Sequence, residues 1–548
     1  MGSWDPAHPY PHRTAETMIG EVSTPEQAEE FRNPVAATAQ ATGGKVIDVG
    51  SNTAGKLRRF REDLYACMRC RADALFELVD AILTAGSFTS PPHLSLVPVH
   101  RRSWSSLYAA LSRGGIDAEA LRDLLASHSS RKEGTRVYAV DVSPWPRCDA
   151  EASPGRSYLY HPSHHSAGQP IVAGWAYQLV AGLSFERNSW VVPVDARRVK
   201  PHEDANDVAV EQVQDFVGRL PRQSQTPLFV FDAGYDPVRL QLELQGCAAQ
   251  ILVRLNSGRV FYFDPEPPPR RHVGHPRTHG EKFDLKEPGS WPEPTHEHYW
   301  LTDSYGSVRV RAWSGLHPKT RKAKERYGSD SACVVRGTVV LVEVGWLPQG
   351  ERRREPKALW LWWNGEGEPD LDLLWKSYCR RFSVEHGIRF LKQALGWTAP
   401  RVRHPEQADR WTWLVIAAYI QLRLALGTVA DQKLPWERPS PIQSLTPTRV
   451  LRSFATLLPL LGTPAAAPKP RGRSPGRPKG RLSGRAKRYP VVKRPLRARL
   501  QHRLKASPRT TAGSFGSPLL KTEDSSGCTG TERWATTDQP RIWEHHRT

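Results

Sequence analysis

Tyr378, Arg381, Glu385 and Lys392 are the four residues of this chain whose types and spacing most directly suggest chemistry. At about 100° per residue they fall near 0°, −60°, −20° and −40° around a helix, a narrow polar stripe roughly 20 Å long. Such a stripe suits an extended anion, and it also suits a solvated helix face. Two aspartates upstream sharpen the choice. Asp141 ends the apolar run Val137-Tyr138-Ala139-Val140, and Asp232 ends Leu228-Phe229-Val230-Phe231. Each run reads as a buried strand. A carboxylate at the mouth of a buried strand must be hydrogen-bonded, bound to a cation or protonated. Either aspartate alone would serve as a cap or turn former before Ser143 or Gly234.

Asp141, Asp232 and Glu385 together suit Mg²⁺ or Mn²⁺, hard ions that take oxygen ligands. Two such ions about 4 Å apart would activate a water or a 3′-hydroxyl and stabilise the leaving oxygen of an in-line phosphoryl displacement. Asp141 would bridge them, with Asp232 and Glu385 each completing one site. Arg381 and Lys392 would grip flanking phosphates, and Tyr378 would add a phenolic hydrogen bond or a stacking surface.

The elements that must position these groups follow from periodicity. Leu371 to Gly396 reads as one helix, with Leu373, Val384, Ile388, Leu391 and Leu395 on one side of it and Gly396 as its stop. Strands are expected at Val137–Asp141, Tyr158–His161, Ile171–Leu179, Trp190–Val194, Leu228–Asp232 and Gln250–Leu255, with helices at Ala205–Leu220 and Pro237–Leu244. This order predicts an α/β mixed sheet with helices on its faces. If the first strand pairs with the one ending at Asp232, both aspartates reach one cation cluster.

Asp232 and Glu385 stand 153 positions apart, far more than one helix and one strand require. An inserted β-rich subdomain over 263–369 is therefore expected, with strand-like runs at Val308–Trp313, Cys333–Val344 and Ala358–Trp363. Trp313, Trp360, Trp362 and Trp363 would pack there or stack on an unpaired base. The other boundaries are a disordered segment at 1–54 with a short helix at Pro25–Arg32, a helical domain at 55–130 that reads DNA or simply packs, the core at 131–262 and 370–460, and a basic disordered tail at 461–548.

The Tyr-x2-Arg-x3-Glu-x6-Lys spacing resembles the signature of bacterial cut-and-paste DDE transposases of the insertion-sequence type. Asp232-Ala233-Gly234-Tyr235 is similar to the block around that group's second catalytic aspartate, and Val140-Asp141 to the block around the first. The resemblance spans roughly Thr135 to Gly427. It implies a ribonuclease-H-like core, divalent metal and DNA strand transfer, with the catalytic and metal-binding roles on Asp141, Asp232 and Glu385. It also implies an insertion-domain Trp that stacks on a flipped base.

Composition points the same way. The 548 residues carry a formal charge of +21, and Lys469 to Arg509 holds sixteen Lys or Arg and no acid. Such a segment buries too little apolar surface to fold alone, and its natural partner is a polyanion. Gly476-Arg477-Pro478, flanked by Arg473, Lys479 and Arg481, resembles an AT-hook that enters the minor groove, or is a generic basic tail. No signal peptide or spanning helix is read, Trp411–Leu426 being a buried core helix, and seven scattered cysteines fit a reducing cytoplasm. Cys67-x-x-Cys70 and the group His161, His164 and His165 lack the further ligands of a zinc site. The loop Arg270–Lys282, with His272, His275 and His279, is solvated or touches phosphate.

Taken together, the expectation is a DNA transposase, with DNA as partner (element ends and target), two Mg²⁺ or Mn²⁺ ions, no membrane, a homodimer in the DNA complex and a place at the bacterial nucleoid. A nuclease without strand transfer and a non-catalytic DNA-binding derivative are the rival readings.

Overall fold

A computed structural model describes residues 50–491 except 87, 89, 130–134, 162–169, 187–189, 222–224, 268–276, 320–333, 348–357, 471, 473–475, 477–479 and 481–483. The short helix expected at Pro25–Arg32, His164, His165, His272, His275 and the hook residues Arg473, Arg477, Lys479 and Arg481 lie outside the described residues.

Helices α1 (Gly50–Ala66), α2 (Ala72–Thr84), α3 (Trp104–Arg113) and α4 (Ala118–Ser127) open the described chain. The α/β part follows: β1 (Val137–Pro146), β2 (Ser157–Tyr160), β3 (Ile171–Leu183), β4 (Val191–Val199), α5 (Ala205–Arg219), β5 (Leu228–Phe231), α6 (Pro237–Glu243) and β6 (Gln250–Leu255). Then come β7 (Val260–Tyr262), β8 (Lys282–Asp284), β9 (His296–Thr302), β10 (Gly306–Pro318), β11 (Gly337–Val344) and β12 (Leu359–Trp363). The last helices are α7 (Leu371–Arg380), α8 (Phe382–Gln393), α9 (Pro405–Ala425) and α10 (Pro447–Leu461).

The sheet is mixed, as the alternation of strands and helices predicts. β1 pairs antiparallel with β3 and parallel with β5, β5 runs parallel to β6, and β4 pairs antiparallel with β3. An antiparallel trio followed by two parallel strands is consistent with a ribonuclease-H-like core. β1 is longer than its apolar run suggests, continuing five residues past Asp141 through Pro144 and Pro146. Beyond Ala139 it pairs only with β3, so its other edge is open and the missing proline N–H groups cost no ladder bonds there.

The insertion does not form a separate β layer. β12 pairs antiparallel with β6, Trp360 opposite Leu255 and Trp362 opposite Val253, so β11, β10, β7 and β8 extend the same sheet. Trp313, Trp360, Trp362 and Trp363 are all buried. Trp313 Nε1 donates to the Pro292 carbonyl and Trp362 Nε1 to Gln241 Oε1, so packing with a satisfied indole N–H accounts for them.

The helical segment before the core is likewise built into the main body. Ala74 to Leu83 of α2 are buried without a break, so this helix presents no free face to a DNA groove. It packs on α9 and α10. Arg61 of α1, buried, donates to both carboxylate oxygens of Asp80 at 2.7 and 3.0 Å, to Gln421 Oε1 of α9 at 2.6 Å and to the Gly462 carbonyl at 2.9 Å. That network ties the two ends of the folded chain together. The apolar stretch Trp411–Leu426 is, as expected, a core helix, and no helix among the described residues is long and apolar enough to cross a membrane.

Candidate active site

The register of the parallel pair decides the geometry. Val137 lies beside Leu228, Tyr138 beside Phe229 and Ala139 beside Val230. Continued two residues, that register would bring Asp141 abreast of Asp232, and the Asp232 charge does act on Asp141. β5 ends at Phe231, so the aspartates stand where the cover of neighbouring backbone runs out. Asp141 Oδ1 accepts from the Val142 N–H at 2.9 Å, and Asp232 Oδ1 accepts from the Gly234 N–H at 2.9 Å. Asp232 therefore shapes its own turn and also faces the site.

Glu385 comes from α8, which lies against β1, β3 and β4. Gly387 makes that approach possible, since a Cβ there would sit 2.5 Å from Val191 Cγ2 on β4. Val384, Ile388 and Leu391 fill the apolar seam with Leu179, Ala181, Val191 and Pro193. One turn of helix thus lays its apolar side on the sheet and carries Glu385 to the sheet's open end.

The single helix expected from Leu371 to Gly396 is two. The Arg381 N–H is shared between the carbonyls of Ser377 at 3.2 Å and Tyr378 at 3.1 Å, and Val384 N–H bonds the Arg381 carbonyl at 2.9 Å. These tightened i to i+3 bonds separate α7 from α8. Gly396, at φ +62°, follows shortly after the last turn.

The polar stripe consequently does not face solvent as a unit. Tyr378 and Arg381 are buried, Lys392 is half-buried and Glu385 is exposed. Arg381 Nη1 lies 3.5 Å from Asp141 Oδ2, and its Nη2 lies 3.5 Å from Glu385 Oε1. The guanidinium therefore links the first and third carboxylates, and at 6% exposure it is not an outward phosphate clamp. Burial works against its charge, but Tyr378, Asp141, Asp232 and Glu385 outweigh burial and hold its pKa above the ordinary value. Lys392 Nζ donates to the Pro144 carbonyl of β1 at 3.0 Å and stands 5.9 Å from the centre of the Trp397 ring. Burial pulls its pKa down to about 8, against the attraction of Asp141.

Asp141 carries the clearest electrostatic mark. Burial pushes its pKa up to about 6, with Asp232 and Glu385 adding to the rise and Arg381 opposing it. Three carboxylates sharing one neighbourhood repel one another unless a cation intervenes. Tyr378 has its hydroxyl buried beside Arg254. Burial raises its pKa, Arg381 and Arg254 oppose the rise, and Asp232 adds to it.

Arg254 was not singled out by sequence reasoning. The β5–β6 register, Phe231 beside Val253, sets it next to Asp232. A lone arginine inside the apolar run Ile251–Leu255 is the signal that could have found it.

Among the described residues no three His, Cys, Asp or Glu side chains form a ready-made metal cage. The donor set nevertheless fits Mg²⁺ or Mn²⁺. It consists of carboxylate oxygens from three elements, two of which already hold a shared cation in Arg381. Cys67 and Cys70 are both free, Cys67 buried with its thiol donating to the Asp63 carbonyl and Cys70 exposed, beside the end of α1.

Residues 63–319 match the model of the DDE superfamily endonuclease family. The matched segment runs from α1 into β10, contains Asp141 and Asp232, and stops before Glu385. It supports an endonuclease. No curated protein matches the chain. Among solved structures the chain is similar to a piggyBac transposase in a synaptic complex with hairpin DNA, at 11% identity and a TM-score of 0.35, over 72% of this chain and 73% of that one.

Proposed function

We propose that the chain is a DNA transposase of an insertion sequence that cleaves DNA strands and joins the freed 3′-hydroxyl to a target, with Asp141, Asp232 and Glu385 as its carboxylate triad. The observation that carries the reading is the gathering of Asp232 and Glu385 charge on Asp141, with Arg381 reaching both Asp141 and Glu385. The endonuclease match across the two aspartates supports it.

In this mechanism an oxygen of water or of a 3′-hydroxyl forms a bond to phosphorus while the opposite P–O3′ bond breaks, releasing a 3′-hydroxyl. Asp141, Asp232 and Glu385 would hold two Mg²⁺ or Mn²⁺ ions. When bound, these ions supply activation of the attacking oxygen and neutralise the leaving one. Arg381 keeps Asp141 and Glu385 turned toward each other, a positioning role that replaces the phosphate grip its place on the stripe suggested. Lys392 fastens α8 to β1 through the Pro144 carbonyl and supplies positive charge beside Asp141 for a phosphate. Tyr378 offers a buried hydroxyl beside Arg254. The hook residues Arg473, Arg477, Lys479 and Arg481 would hold flanking DNA, two copies would pair the element ends, and the bacterial nucleoid is the place of action.

The test uses labelled duplexes built from the DNA that flanks the gene on each side. Asp141→Ala, Asp232→Ala and Glu385→Ala should each abolish Mg²⁺- or Mn²⁺-dependent cleavage and leave DNA binding intact. Cleavage retained in any of the three sinks the assignment. Cleavage without joining of labelled 3′ ends to target DNA makes the protein a nuclease on the same core.

A further inference from the structure

Arginines from separate parts of the chain gather at the loop that follows β1. Arg147 lies just past the strand, its guanidinium carbon 5.6 Å from the centre of the Trp175 ring and its Nε buried without a hydrogen-bond partner. Arg156 donates to the carbonyls of Ser153 and Arg147 at 2.9 Å each and of Pro490 at 2.7 Å. Arg403 donates to the Ala152 carbonyl at 3.1 Å, and Arg401 is exposed beside it. Carbonyl partners satisfy N–H groups without neutralising charge. Burial, then the charges of Arg156 and Arg401, pull the pKa of Arg147 down to about 10, with no carboxylate among the causes. Guanidiniums crowded in this way, one of them half-desolvated, outnumber the Glu151 carboxylate, which acts on Arg156 and pairs with Arg488, and leave the loop with positive charge in excess.

A second observation meets the first at the same loop. The Tyr489 N–H donates to the Glu151 carbonyl at 2.7 Å, and Arg488 pairs with the Glu151 carboxylate at 3.4 Å. Together with the bond from Arg156 to Pro490, these contacts fasten the basic tail here. The sequence continues with Arg485 and Lys487 before the fastening point and Lys493, Arg494, Arg497 and Arg499 after it.

Arg147 is six residues beyond Asp141, which along a strand amounts to about 20 Å. At 3.4 Å per step that is about six base pairs of duplex. We propose that Arg147, Arg156, Arg401 and Arg403 form a second nucleic-acid phosphate site about six base pairs from the point of cleavage. The distance rests on the reading that Asp141 marks that point.

The test measures the salt dependence of binding by the full chain to two duplexes, one reaching well past six base pairs from the cleavage position and one ending short of it. Each phosphate contact contributes about 0.9 to the slope of log K against log salt. Arg401→Glu with Arg403→Glu should lower the slope on the long duplex by about two and leave the short duplex unchanged. The milder pair Arg401→Gln with Arg403→Gln should do the same, which guards against misfolding. An unchanged slope on the long duplex, or an equal loss on both, overturns the proposal. Absence of metal-dependent cleavage in the parent protein would sink the catalytic reading, and the comparison of slopes would still decide the arginine site.

Discussion

Neutralising Asp141 should make the metal-free protein more stable at neutral pH, although it removes a group assigned to catalysis. Its carboxylate is pushed from an ordinary value of 3.8 to about 6 in the folded chain. A raised carboxylate pKa means that the folded state binds more protons than the unfolded state between those values, so stability falls as pH rises through that window. The full shift corresponds to about 3 kcal/mol at pH 7. The side chain is 18% exposed, so little of this is lost to solvent screening. Asp141→Asn keeps an oxygen for Arg381 and removes the charge. Thermal or denaturant unfolding in chelator should show the variant more stable than the parent at pH 8, by about 1–3 kcal/mol. The difference should shrink toward pH 4 and vanish below about pH 3, where the parent carboxyl is protonated in both states. Saturating Mg²⁺ should stabilise the parent and close the gap. A variant that is equally or less stable at pH 8, or a difference that does not change with pH, would refute the account of three crowded carboxylates.

Three further outcomes follow from neighbouring contacts. Lys392, with its pKa drawn down to about 8, is charged below that value and neutral above it, so DNA affinity and its salt slope should decline between pH 7 and 9 in the parent protein. Lys392→Arg should hold both constant across this range, and a parent that is flat in pH would remove the lysine from phosphate binding. Gly387→Ala puts a Cβ against the stiff Val191 side chain, so despite better helix propensity it should cost about 1–3 kcal/mol and lower cleavage further than stability by lifting Glu385 off the sheet; wild-type cleavage would refute the close-approach argument. Asp80→Ala leaves Arg61 buried with its charge uncompensated and should cost about 3–5 kcal/mol in denaturant unfolding, whereas a loss below about 1 kcal/mol would mean the network is not closed to water.

Much of the core was legible because its signals are local. Apolar runs gave the strands and helical periodicity gave α5, α6 and α9. The continuation of β1 through Pro144 and Pro146 was not, since prolines read as strand breakers unless the open edge is known. The break at Arg381 was hidden because the residue keeps helical angles, φ −52° and ψ −34°, and only its hydrogen bonds change. Nor does periodicity reveal that β12 returns to β6 across more than a hundred residues, a pairing fixed by packing alone. Burial of Arg381 escaped for a related reason: a charged residue on a helix reads as exposed until the carboxylates that hold it are brought near from β1.

That burial changes what the four-residue spacing means. A stripe of Tyr378, Arg381, Glu385 and Lys392 on a single exposed helix would bring cations to DNA and a carboxylate to repel it. In the folded chain the break sends Arg381 inward, where one guanidinium faces Asp141, Asp232 and Glu385 and cannot neutralise all three. The remaining negative charge disfavours a phosphate and favours divalent cations, and Asp141, between burial and two like charges, bears most of the cost. The spacing therefore works less as a grip along a helix than as a hinge in it. Arg381 at the hinge holds the carboxylates together as a set, while Lys392, two turns beyond Glu385, keeps its charge near the surface where a DNA backbone would arrive.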